Sequence, residues 1–166
     1  MERQGETSIS PLPEYSWDFS FNGQYENAVD AKGRISVPVP FRKLDDGREI
    51  TNFKLTLGLD DCLLLFPLDY WRQEVEPQLK RLPVMEAGAR KLFRMFVTNA
   101  VDCKPDKQGR IIIPARLRDK RGIKDEVVVA GAIDRIEIWP VEGYDDYELT
   151  DVKEVENIAK RYDINF

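Results

Sequence analysis

The chain has 166 residues, of which 42% are hydrophobic and 33% charged, and its 25 basic and 30 acidic side chains give a formal net charge of −5. This is an ordinary globular composition that excludes a disordered or fibrous chain, and no apolar run reaches the ~20 residues that a membrane-spanning helix needs. There is no histidine, which removes the commonest general base and the commonest metal ligand together.

Residues 1–20 begin MERQGETSISPLPEYSW. They lack the apolar core of a signal peptide and are expected to form a flexible leader. A first unit is expected over residues 21–67. Tyr25–Asp30 reads as a short half-buried strand, and a tight turn follows in which Gly33 supplies positive φ. Ile35–Val37 reads as the returning strand of that hairpin. Pro38 suits the first turn of a short helix through Phe41–Leu44, which Gly47 ends. Phe53–Gly58 and Cys62–Phe66 then form a second hairpin.

Residues 68–99 are expected to be two linker helices. In the first, Trp71, Val75, Leu79 and Leu82 recur at helical spacing, and Pro77 should kink or interrupt it. In the second, Met85, Ala89, Leu92, Phe93 and Phe96 share a face opposite Arg90, Lys91 and Arg94, which reads as core packing, with a subunit contact as the sharper alternative. Residues 100–147 repeat the first unit. Val101–Lys104 alternates buried and exposed, Gly109 makes the turn, and Ile111–Ile113 returns. Pro114 opens a helix over Ala115–Lys120, Gly122 ends it, and Val127–Gly131 pairs with Arg135–Trp139. Residues 148–166 form an acidic tail, in which Asp151–Arg161 is either a helix or disordered. Cys62 and Cys103 sit in apolar or alternating segments and read as reduced core residues, not a disulfide.

The duplication is literal. DAKGRISVPVPFR, from Asp30 to Arg42, returns as DKQGRIIIPARLR, from Asp106 to Arg118. Asp30, Gly33, Arg34, Ile35, Pro38 and Arg42 match Asp106, Gly109, Arg110, Ile111, Pro114 and Arg118. Further on, Gly58, Asp61, Leu63, Leu65, Phe66 and Pro67 match Gly131, Asp134, Ile136, Ile138, Trp139 and Pro140. Two copies of one supersecondary unit, strand–strand–helix–strand–strand, make an α+β fold.

Glycine, proline and the aliphatic triplet of the phrase are explained by a turn that leads into a helix, and Asp30 and Asp106 by the turn hydrogen bonds that aspartate often makes. A turn does not call for Arg34 and Arg110, nor for Lys32 and Lys107 beside them. Cations carried on a two-stranded element suit phosphate and guanine edges in a major groove. The charge distribution agrees. Glu142–Phe166 holds eight acidic and three basic residues, whereas Lys104–Arg121 holds seven basic and two acidic ones, so the acidity of the chain resides in its tail.

Together, DAKGRISVPVPFR, GLDDCLLLFPLDYW, DKQGRIIIPARLR and GAIDRIEIWP resemble the MraZ family of bacterial transcription regulators over roughly Phe21–Tyr147. The resemblance implies a double-split β-barrel built from two tandem AbrB/MazE-like half-units. It implies a D-x-x-x-R motif in each half whose arginines contact DNA, falling here on Asp30 with Arg34 and on Asp106 with Arg110. It further implies ring-shaped homo-oligomers, such as octamers or dodecamers, on short G-rich direct repeats upstream of the operon for cell division and cell-wall synthesis. Gln108 stands where the first copy has Lys32, so the halves need not contact DNA equally.

The function expected is therefore a sequence-specific DNA-binding regulator, cytoplasmic and nucleoid-associated, without cofactor or metal. The alternative is an antitoxin-like or structural module whose basic turns grip an acidic partner. An enzyme ranks third. Without histidine or a Ser–Lys or Cys pairing there are no catalytic candidates, and the adjacent carboxylates Asp60–Asp61 and Asp145–Asp146 read as turn residues.

Overall fold

A computed structural model describes residues 17–165. Eight strands form a mixed α+β architecture: β1 (Gln24–Ala28), β2 (Arg34–Ser36), β3 (Phe53–Leu57), β4 (Leu63–Pro67), β5 (Val101–Cys103), β6 (Arg110–Ile112), β7 (Glu126–Gly131) and β8 (Ile136–Pro140). Six of them make one sheet in the order β1-β7-β8-β4-β3-β5, and β2 and β6 make a separate two-stranded ribbon. Every pairing is antiparallel.

The local hairpins β3–β4 and β7–β8 form as the sequence predicts. The other two expected hairpins do not. Their turns close, with Asp30 N–H donating to the Arg34 carbonyl at 3.0 Å and Asp106 N–H to that of Arg110 at 2.9 Å. Beyond the turns the strands part: β1 pairs with β7, β5 with β3, and β2 with β6. The exchange has a packing reason. Each half needs a lid over its apolar sheet face, and crossing β2 with β6 places Ile35, Val37, Ile111 and Ile113 in one shared core, each at most 2% exposed. The two copies are thus interlocked, and the sheet order reads the same from either end once the copies are exchanged.

The central strands carry side chains to both sheet faces. In β4, Leu63 and Leu65 join the inner core with Phe53, Leu55, Ile136, Ile138, Phe41 and Leu117, while Leu64 and Phe66 join an outer cluster with Cys62, Val128, Trp139, Trp71 and Leu79. Burial on both faces is why LLLFP reads as an unbroken apolar run. Cys62 belongs to the outer cluster and Cys103 to the inner one, both free. Burial pushes each thiol up to about 12.

Helices α1 (Val39–Arg42) and α5 (Ala115–Arg121) follow the ribbon strands. Pro38 and Pro114 sit one step earlier than expected, as N-caps in extended conformation. Gly122 ends α5 in the left-handed region, but α1 has already ended at Lys43 when the chain reaches Gly47, which serves a separate turn.

The first linker helix runs as α2 (Leu68–Tyr70), a π-helical turn (Trp71–Val75) and α3 (Glu76–Lys80). Pro77, which cannot donate a helical hydrogen bond, is absorbed by that widened turn rather than by a break. The second linker helix, α4 (Ala87–Thr98), meets the core-packing expectation only in part, since none of its residues is fully buried. Met95 and Phe96 lean on the two cores, but Leu92, Phe93 and Val97 are left 37–39% exposed. After a 3₁₀ turn (Tyr144–Tyr147), the tail forms α6 (Val152–Arg161), capped by Asp151, whose carboxylate accepts from Glu154 N–H at 2.9 Å. Of the expected leader, residues 1–16 lie outside the described residues. Trp17 packs edge-on against Tyr70, and Phe19 stacks on Phe21.

Candidate nucleic-acid interface

Both copies of the repeated phrase build the same turn. Asp30 Oδ1 accepts from the backbone N–H of Lys32 and of Arg34, each at 2.9 Å, while Oδ2 takes the Arg34 Nε at 2.6 Å. Asp106 does the same for Gln108 N–H, Arg110 N–H and Arg110 Nε, all at 2.9 Å. Gly33 and Gly109 sit at φ +77°, as the sequence predicts, and donate to the carbonyls of Asp30 and Asp106. The Arg34 backbone N–H, together with its guanidinium and Lys32 N–H, lowers the Asp30 carboxyl to about 2. Asp106 is lowered by the matching set led by Arg110 N–H.

The arginines therefore have a structural partner that their spacing in the sequence did not reveal. Each spends Nε on its own aspartate, which fixes the plane of the guanidinium, and its two Nη groups have no hydrogen-bond partner among the described residues. Their side chains are 26% and 29% exposed, held against the surface rather than free in solvent.

The crossed ribbon brings the two sites together. In β2–β6 the register is Arg34↔Ile112, Ile35↔Ile111 and Ser36↔Arg110. Ile35 and Ile111 point inward, so Arg34, Ser36, Arg110 and Ile112 share the outer face, where Ile112 is 60% exposed. Arg34 and Arg110 are diagonal neighbours on that face, a relationship that places them about 7–8 Å apart. Lys32 and Lys107 ride the two turns at opposite ends of the ribbon, exposed and without an ion pair among the described residues.

Two further cations belong to this site. Arg118, from the helix of the second copy, lies against the first turn, where a Cβ added to Gly33 would stand 2.9 Å from its Nη2. Arg42, from the first copy, covers Gly109 in the same way. Arg42 Nε donates to the Val37 carbonyl at 2.8 Å and Arg118 Nε to that of Ile113 at 3.1 Å. The repeat had matched these two arginines, but their role depends on the strand exchange, which no local pattern encodes.

Elsewhere the surface offers little chemistry. A concave region between Trp17–Phe19, Leu44–Asn52 and the start of α2 is lined by Arg48, Glu49, Asp69 and Arg72. There Arg48 is already paired with Asp18 and Asp46. Among the described residues no three His, Cys, Asp or Glu side chains gather as a metal-holding group, and no helix is long and apolar enough to cross a membrane.

Comparison with known proteins gives two matches to one family model, described as "MraZ protein, putative antitoxin-like", over residues 20–95 and 96–164. The second match runs through α6. The chain is 42% identical over 141 residues to the transcriptional regulator MraZ of Thermoanaerobacter pseudethanolicus, covering 85% of this chain and 95% of that protein. It is 40% identical over 146 residues to the regulator of the same name from Lachnoclostridium phytofermentans, covering 88% and 99%. For that of Natranaerobius thermophilus the identity is 39% over 141 residues, covering 84% and 94%.

Proposed function

The chain belongs to the MraZ family, and from that premise we propose that it is a non-enzymatic transcriptional regulator that reads double-stranded DNA with the outer face of the β2–β6 ribbon. One observation carries the reading: Arg34 and Arg110 stand diagonally on one exposed ribbon face, each aimed by its own aspartate with its Nη groups unengaged. A two-stranded ribbon fits the major groove, and a pre-oriented guanidinium suits bidentate contact with the O6 and N7 of guanine. A spacing of about 7–8 Å corresponds to about two base steps. Lys32 and Lys107 flank the ribbon as phosphate contacts, and Arg42 and Arg118 pack against the glycines of the opposite copies' turns.

On this reading the exchanged strands are those of a double-split β-barrel, and the protein works in the cytoplasm on the nucleoid. Its targets are short G-rich direct repeats upstream of genes for cell division and cell-wall synthesis. One ribbon covers few bases, so affinity comes from a ring-shaped homo-oligomer, such as an octamer or dodecamer, that presents several ribbons to repeated sites through effective concentration. The exposed apolar face of α4 supports self-association.

The test is binding-site selection on the purified protein, followed by fluorescence anisotropy on the selected operator and a scrambled duplex. Arg34→Ala and Arg110→Ala are expected to cost about 1–3 kcal/mol per engaged guanine, about 5- to 150-fold in affinity, with operator preference lost and the fold retained by circular dichroism. If both variants keep the operator affinity of the parent, the ribbon is scaffold and the reading fails.

A further inference from the structure

The outer face of the β2–β6 ribbon is polar at every position but one. Arg34, Ser36 and Arg110 suit a solvated face, whereas Ile112 stands 60% exposed among them. The repeat shows that the fold does not ask for an aliphatic group there. The counterpart of Ile112 in the first copy is Ser36, which takes the matching outward position in the same ribbon and is likewise exposed. Core packing explains Ile111 and Ile113, both buried, but neither core cluster includes Ile112.

The register decides what Ile112 stands beside. Ile113 N–H donates to the Gly33 carbonyl and Val37 N–H to that of Gly109, each at 2.9 Å. By alternation the hydrogen-bonded pairs are then Gly33–Ile113, Ile35–Ile111 and Val37–Gly109. Arg34–Ile112 and Ser36–Arg110 are therefore the closer, non-hydrogen-bonded pairs, with Cβ atoms about 4.5–5.5 Å apart. One ribbon arginine has a branched aliphatic group at its flank, and the other has a hydroxyl.

We propose that Ile112 is a specificity-determining residue of the ribbon, which meets the C5-methyl group of a thymine beside the guanine engaged by Arg34. The proposal rests on the ribbon's contact with DNA set out above and adds a second base to it. The thymine methyl is the apolar group that a base pair presents in the major groove, and an apolar side chain is its ordinary partner. A separation of about 4.5–5.5 Å corresponds to one or two base steps of about 3.4 Å, so this thymine lies within two base pairs of that guanine. Any other base would set a polar edge against a surface that cannot hydrogen-bond it. At the guanine of Arg110 the neighbour is Ser36, whose hydroxyl both donates and accepts and so discriminates little. The demand for thymine attaches to one of the two guanines only.

Binding-site selection on the full chain supplies the operator. Fluorescence anisotropy then compares it with a duplex in which deoxyuridine replaces that thymine, a change that removes the methyl group and keeps the base pair. The same replacement outside the selected bases gives the baseline. The parent is expected to bind the uracil duplex about fourfold more weakly per substituted site, as the loss of one buried methyl implies. Ile112→Ser, which carries the residue of the first copy into the second, should bind both duplexes alike, and Ile112→Val should keep the preference. Circular dichroism accompanies each variant. Should Ile112→Ser not fold, Ile112→Gln takes its place and should likewise lose the discrimination. An operator without thymine near its guanines overturns this proposal while DNA binding stands. So does a parent indifferent to uracil, or a polar variant at Ile112 that keeps the preference. A parent that selects no sequence overturns the proposed function as well.

Discussion

Ile35 pairs with Ile111, its own counterpart in the second copy, at the centre of the ribbon, and both side chains are about 1% exposed. Leu64 and Glu137, likewise counterparts, pair at the centre of the large sheet. Each half thus contributes one side of every central contact. Ile111→Ala should destabilise the protein by about 2–5 kcal/mol, against about 0.5–1.5 for Ile111→Val, with urea denaturation as the measure. Residues 100–147 alone should show no cooperative melt as a monomer. A monomeric fragment that melts cooperatively would show that the exchange of strands is dispensable.

Gly33 and Gly109 combine a left-handed backbone with a guanidinium from the opposite copy at the position of the missing Cβ. Gly33→Ala or Gly109→Ala should cost about 1–3 kcal/mol from backbone conformation, with a steric addition. Arg42→Ala relieves the steric part at Gly109. The double variant Gly109→Ala/Arg42→Ala should therefore be less destabilised than the sum of the singles in a thermal-melt cycle. Strict additivity would mean that Arg42 does not rest on this turn in solution.

Lys32 and Lys107 should act differently from the ribbon arginines. As phosphate contacts, their replacement by alanine should weaken operator and scrambled DNA alike, and each should reduce the slope of log affinity against log salt by about 0.9. Anisotropy titrations at several salt concentrations read this directly. An unchanged slope would place the phosphate backbone elsewhere.

Asp30 gives the fold an acid limit. Its folded carboxyl titrates at about 2 against an ordinary 3.8, chiefly through the Arg34 backbone N–H and the Arg34 side chain. A folded value below the unfolded one means that the stabilisation is complete above the ordinary value and is lost as pH falls from about 4 toward 2. Asp106 shifts in the same direction. Side-chain carboxyl NMR should find the Asp30 midpoint well below the ordinary value, and Asp30→Asn should flatten the acid limb of the stability curve. A midpoint near 3.8 would show the turn to be unformed in solution.

The sequence is most legible where partners are local. The hairpins β3–β4 and β7–β8, the αL cap at Gly122 and the positive φ of Gly33 and Gly109 follow from patterns within a dozen residues. The pairing of β2 with β6 does not, because period-2 alternation says that Ile35 points inward but not which strand lies beside it. For the same reason the two arginine turns read as separate tips and prove to be one face. The apolar stripe of α4 was visible, yet a stripe does not state whether its own chain or another covers it. The uncovered Phe93 and Val97 settle only the first half of that question.

Fusing the two copies into one chain also gives the ribbon a direction. A ribbon made by two identical chains looks the same from either end. Here Lys32 at one end answers to Gln108 at the other, and Ser36 to Ile112 between them, so the face has a head and a tail. Each substitution enters it once, and one end can drift while the other is held. A ligand with its own polarity can be met in a single orientation.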